Sequence, residues 1–136
     1  MKARYVFRAR LRLESEESSV RLESSSARTT VTVFREAPEP GREGWLFFRD
    51  TLWRGEVGDE AHGRRLAEEW LGESVESVAF RELQVDQEYF TALKEAIAAD
   101  LEAFNAENVD EVLSKYLGSS IRVTDADGAA ETADES

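Results

Sequence analysis

The chain has 136 residues, no cysteine, and a net charge of -12 from 29 acids and 17 bases. That length suits one domain, and the missing thiol excludes disulfides, a cysteine nucleophile and cysteine-based metal sites. Hydrophobic residues make up 41% of the chain and 13 are aromatic, enough for a packed core and against disorder of the whole.

Residues Ala3 to Leu13 alternate. Tyr5, Phe7, Ala9, Leu11 and Leu13 point one way; Arg4, Val6, Arg8, Arg10 and Arg12 point the other. Period two over this length predicts a half-buried strand. Glu14–Ser19 reads as a polar turn, Val20–Leu22 as a short strand or irregular edge, and Ser24–Ser26 as a break. Thr29–Phe34 is β-branched and aromatic, with Val31 and Val33 on one face and Thr30 and Thr32 on the other. Pro38, Pro40 and Gly41 mark a loop. The dense apolar run Gly44–Arg49 reads as a central strand in a hairpin with its predecessor, extended past a bend by Asp50–Gly55.

Asp59 is a good N-cap for a helix over 60–71, stopped by Gly72. Ser74–Val85 predicts a strand. Val78 and Phe80 are out of phase with Leu83 and Val85, so a bulge near Arg81-Glu82 is expected. Phe90, Leu93, Ile97, Leu101 and Phe104 give a helix over 88–104. Asn108 caps a shorter helix that ends at Gly118, and Ile121 and Val123 add a terminal strand. Strands first and helices later predict an α+β fold: an antiparallel sheet of about four strands with two to three helices on one face. Residues 1–123 form the single domain, and 124–136 read as an acidic disordered tail.

Only three bases are lysine (Lys2, Lys94 and Lys115); the other 14 are arginine. Excess acid with scarce lysine is the composition of a protein kept in concentrated KCl, with hydrated K+ held non-specifically at its carboxylates. At about 1 M salt the Debye length is only about 3 Å, so self-repulsion is screened. Residues 1–58 carry a net +2 and residues 59–136 a net -14. No apolar run approaches the ~18 residues needed to span a bilayer. Arginines interrupt Met1–Arg8 where a signal peptide would be apolar, so a cytoplasmic location without membrane partners is expected.

The block Gly44-Trp45-Leu46-Phe47-Phe48-Arg49-Asp50-Thr51-Leu52-Trp53-Arg54-Gly55-Glu56, and Val109–Val123 further on, resemble the haloarchaeal LWR-salt proteins over roughly residues 3 to 123. The resemblance implies a halophilic archaeal source. It brings no assigned activity and no catalytic residues to carry over.

Two groups are candidate binding residues. Trp53 and Arg54 are suited to an aromatic–guanidinium platform for a partner or a nucleotide base. Against this, Trp45, Phe47, Leu52 and Trp53 are expected to fill the core, with Arg49 and Arg54 paired to Asp50, Glu56 or other nearby acids. Arg4, Arg8, Arg10 and Arg12 share one sheet face, where they suit a phosphate backbone or the acidic half of a second copy. The plainer expectation is a solvated face paired with Glu14, Glu23 or Glu36.

The carboxylates Asp50, Glu56, Asp59 and Glu60 gather round one loop without EF-hand spacing. Asp125-Ala-Asp127-Gly128 starts like a calcium loop but lacks its downstream glutamate. His62 is the only histidine and reads as a surface residue. No G-x-S-x-G, GxGxxG or P-loop occurs. No metal ligand set, cofactor or catalytic residue is therefore assigned. The expected function is a non-enzymatic binding or accessory protein that contacts a protein partner or itself as a homo-oligomer. The alternatives are an RNA- or single-stranded-nucleic-acid-binding module and a small carboxylate-dependent hydrolase or isomerase.

Overall fold

The computed structural model describes residues 1–14 and 26–124. The expectations for residues 15–25 and for the tail from 125 onward fall outside the described residues. In chain order the elements are β1 (Ala3–Glu14), β2 (Ser26–Glu36), α1 (Phe47–Thr51), β3 (Leu52–Trp53), β4 (Glu56–Val57) and α2 (Glu60–Leu71). They continue with β5 (Val75–Asp86), α3 (Gln87–Ala98), a 3-10 turn (Leu101–Phe104), α4 (Val109–Leu117) and β6 (Ile121–Thr124). Thr124, expected in the tail, closes β6.

The main sheet has the order β2-β1-β5-β6. β1 pairs antiparallel with both β2 and β5, whereas β6 runs parallel to β5. The sheet is therefore mixed and not purely antiparallel. α3 and α4 lie between β5 and β6 in the chain, a crossover long enough to bring the last strand back in the direction of β5. The described residues hold four helices where two to three were expected.

The α2 cap is as expected: the Asp59 carboxylate accepts from the His62 amide at 3.1 Å, and Gly72 adopts φ 70° at the far end. Asn108 caps α4, accepting from the Glu111 amide at 2.8 Å. The predicted bulge is present. Glu82 stands opposite Val6 and Phe80 opposite Phe7, leaving Arg81 as the extra residue. This brings Val78, Phe80, Leu83 and Val85 all into the core. A second register shift leaves Glu76 between Val75, opposite Leu11, and Ser77, opposite Arg10.

Two expected elements differ. Gly44–Arg49 is not a strand and does not pair with β2. Gly41 and Gly44 adopt φ 87° and 88°, which breaks the extended chain. Successive amide bonds then wind into α1, with Phe47 bonded to Gly44 at 3.1 Å and Asp50 to Leu46 at 3.1 Å. A short continuous apolar run fits a buried helix as well as a buried strand, and here burial selects the helix. The helix expected over 88–104 ends at Ala98 and resumes as the 3-10 turn. Leu101 and Phe104 are three apart, a spacing that both helix types satisfy, so periodicity does not reveal the break.

One hydrophobic cluster joins the sheet to the helices. Tyr5, Phe7, Ala9 and Leu11 line its floor. Phe47 lies 4.8 Å from Tyr5, and Trp70 lies 5.4 Å from Phe7, between ring centres. Phe48, Phe104 and Tyr116 interlock behind them at 5.8 to 6.2 Å. Asp86 ties the start of the chain to this layer. One carboxylate oxygen caps α3 by accepting from the Tyr89 amide, and the other accepts from the Lys2 amide, both at 2.8 Å.

Candidate functional site

The outer face of the sheet has no helix over it among the described residues. Alternation along β1 turns Arg4, Arg8, Arg10 and Arg12 outward, and all four are exposed. Their contacts include residues that the sequence did not suggest. Arg12 meets the Glu76 carboxylate at 2.8 Å and Arg10 approaches it at 3.9 Å, because the second bulge places Glu76 there. Arg4 donates to Gln84 at 2.8 Å. Arg8 makes no ion pair among the described residues. Glu36 stands opposite Arg4 in the strand register; Glu23 and the side chain of Glu14 lie outside the described residues. On β6, Arg122 adds a fifth cation, 3.5 Å from Glu82.

Such exposed pairs hold their partners by less than about 1 kcal/mol, so the guanidinium groups are free to exchange them for a ligand. Beside the row stands Phe34, 49% exposed. It lies opposite Val6 in the register, and the Arg4 guanidinium sits 4.1 Å from its ring centre. Lys2, Arg4, Phe34, Glu36, Gln84 and Thr124 line a shallow groove of about 610 Å³ at this end of the sheet. Phe34, Gln84, Glu76 and Arg122 were not assigned from sequence. Phe34 was recoverable, because it is in phase with Thr30 and Thr32 and so belongs to the outer face.

The second group sits on the β3–β4 hairpin, apart from the arginine row. Leu52 enters the core at 2% exposure, whereas Trp53 remains 47% exposed. Trp53 is therefore a surface residue and not core filling: its ring meets Tyr116 edge-on at 5.8 Å. Arg54 lies 5.8 Å from the Trp53 ring centre and pairs with no acid among the described residues. Arg54 and Gly55 both take positive φ, 54° and 82°. This is the backbone of a tight hairpin turn.

Their amides donate to the last carbonyls of α4, Arg54 to Lys115 at 2.8 Å and Gly55 to Tyr116 at 3.0 Å. Lys115 in turn reaches the carbonyls of Phe104 and Asn105 at 2.9 and 3.0 Å. The Arg54-Gly55 turn thus closes the end of a helix that would otherwise leave carbonyls unpaired. Trp53, Arg54, Glu111, Ser114 and Lys115 border a shallow groove of about 550 Å³.

Two of the four carboxylates near the loop are occupied locally. Asp50 pairs with Arg49 at 3.0 Å, as expected, and Asp59 is the α2 cap. Asp50 and His62 border a third open groove, of about 600 Å³, with Trp45, Phe47 and Leu66. Among the described residues no three His, Asp or Glu side chains gather closely enough to hold a metal ion. No helix among them is long and apolar enough to cross a membrane.

Two buried phenols lie beneath the sheet. Tyr5 is pushed well above the usual phenol range by burial first and by Tyr89 second. Tyr89, raised by burial and then by Glu39, donates to the Pro38 carbonyl at 2.6 Å.

A family model described as LWR-salt protein matches residues 1–127. No curated protein and no solved structure matches the chain.

Proposed function

The chain belongs to the LWR-salt protein family, and we propose that it is a non-enzymatic accessory protein that binds a protein partner through the outer face of its sheet. The observation behind this reading is the row Arg4, Arg8, Arg10 and Arg12, exposed beside Phe34 on a face without a helical layer among the described residues. Arginine and aromatic side chains are the residues that carry binding energy at protein interfaces.

Three features favour a protein surface over a nucleic acid. Glu36, Glu76 and Glu82 interrupt the cationic row, so the face is mixed in charge. Among the described residues Phe34 is the single ring on this face, whereas single-strand binders present successive stacking rings. Phosphate contacts also weaken steeply with salt, and the lysine-poor, acidic composition suits a cytoplasm rich in KCl. Single-stranded nucleic acid is the second reading; the Arg4–Phe34 stack, which offers one base a platform, is what favours it. Trp53 and Arg54 form a smaller, separate contact surface.

The test is native purification of the tagged protein from a haloarchaeal host in molar KCl, with the eluate read by mass spectrometry and absorbance ratio. A stoichiometric protein that is released on substitution of the arginine row supports the proposal. Co-eluting RNA released in the same way replaces it with the second reading.

A further inference from the structure

We propose that β2 pairs antiparallel with β2 of a second copy about a two-fold axis at Thr32, joining two four-stranded sheets edge to edge. This goes beyond the reading of the outer face, because edge and face are different surfaces of the sheet and either can fail alone.

β2 is an edge strand of eleven residues and, among the described residues, pairs only with β1. Edge strands that must stay single are normally short, charged, bulged or interrupted by proline. The opposite edge follows that pattern: β6 has four residues and carries the exposed Arg122. β2 does not. From Thr29 to Phe34 it holds no charge, no glycine and no proline, and its ladder to β1 has no register shift.

A second copy fits this edge in a particular register. Pairing must keep the core-facing and outward-facing sets together. Centred on Thr32, it places Val31 against Val33, Thr30 against Phe34 and Thr32 against its own copy. Over residues 29–35 the same register opposes no like charges. The result extends the outer face across eight strands, with Phe34 of each copy beside Thr30 of its neighbour and its ring still open on the outer face. With -12 on each chain, association between copies strengthens as KCl rises and screening shortens. A charge-driven partner on the arginine face responds to salt in the opposite sense.

The test uses Thr32→Cys in a chain that has no other cysteine. Residues directly opposite in an antiparallel pair have Cα atoms about 4.5–5.5 Å apart, within reach of a disulfide. Thr91→Cys, exposed on α3, is the control. Light scattering in molar KCl should show a dimer for the unsubstituted protein. Mild oxidation should cross-link most Thr32→Cys chains in pairs and leave Thr91→Cys single. Thr32→Lys, which sets two cations across the axis, should raise the dimer dissociation constant by about tenfold or more with unchanged circular dichroism. A monomer at the highest concentration reached in molar KCl overturns the proposal, whether or not another protein binds the edge. So does a dimer that tolerates Thr32→Lys and gives no cross-link at position 32.

Discussion

The Arg4 guanidinium lies 4.1 Å from the centre of the Phe34 ring, on the side of the sheet that the helices do not cover. Nearly half of that ring faces solvent, so its removal costs folding little and binding much. Phe34→Ala should change unfolding free energy by less than about 1 kcal/mol and weaken partner binding by about tenfold or more. Melting curves and a binding titration in the same buffer separate the two effects.

In the hairpin Trp53-Arg54-Gly55-Glu56 two adjacent positions should respond to substitution by clearly different amounts. Arg54 holds φ 54° with a full side chain, whereas Gly55 holds φ 82° without one. Arg54→Gly should stabilise, or cost no more than a few tenths of a kcal/mol, because it relieves the left-handed backbone. Gly55→Ala should cost more than about 1 kcal/mol. A Cβ there meets the Leu117 carbonyl oxygen at 3.0 Å and the Ser120 hydroxyl at 3.1 Å. Denaturant titrations of both variants check the pair.

Tyr5 and Tyr89 govern the alkaline limb of stability. Burial raises both phenols above their usual value, which is about 10 in an unfolded chain. Above that pH the unfolded chain loses protons that the folded chain keeps, so stability falls as pH rises. Below it the two states bind the same protons at these sites, and the contribution is fully present. Tyr5→Phe should flatten the loss. Phenolate absorbance followed alongside circular dichroism should show these two groups ionising only as the fold opens.

The acidic composition predicts a salt requirement. Melting temperature should fall as KCl is diluted below about 1 M, where the screening length grows past about 3 Å. A melting temperature that stays flat from dilute buffer to molar KCl contradicts the halophilic reading.

Much of this architecture is legible in the residues. The alternation from Ala3 to Leu13 sorts the arginines from the core, and the phase slip between Phe80 and Leu83 locates the bulge. Asp59, Gly72 and Asn108 mark helix ends because caps are local chemistry. The rest depends on tertiary context. The run Trp45-Leu46-Phe47-Phe48 is apolar on every side and so has no period; only its place against Tyr5 and Phe104 makes it a turn that winds into α1. Whether β6 would run parallel depends on how α3 and α4 cross the core. The partners of the arginine row also followed from three dimensions, since Glu76 reaches Arg12 through an extra residue in β5, 64 positions along the chain.

The central claim is that the arginine row is a binding surface, and it is tested most directly by replacing Arg4, Arg8, Arg10 and Arg12 together with serine. The affinity for the partner isolated in molar KCl is then measured against that of the unsubstituted protein, with circular dichroism and melting temperature as controls. A loss of about a hundredfold or more with the fold intact is the result expected of a row of interface arginines. Unchanged affinity in a folded quadruple variant would contradict it.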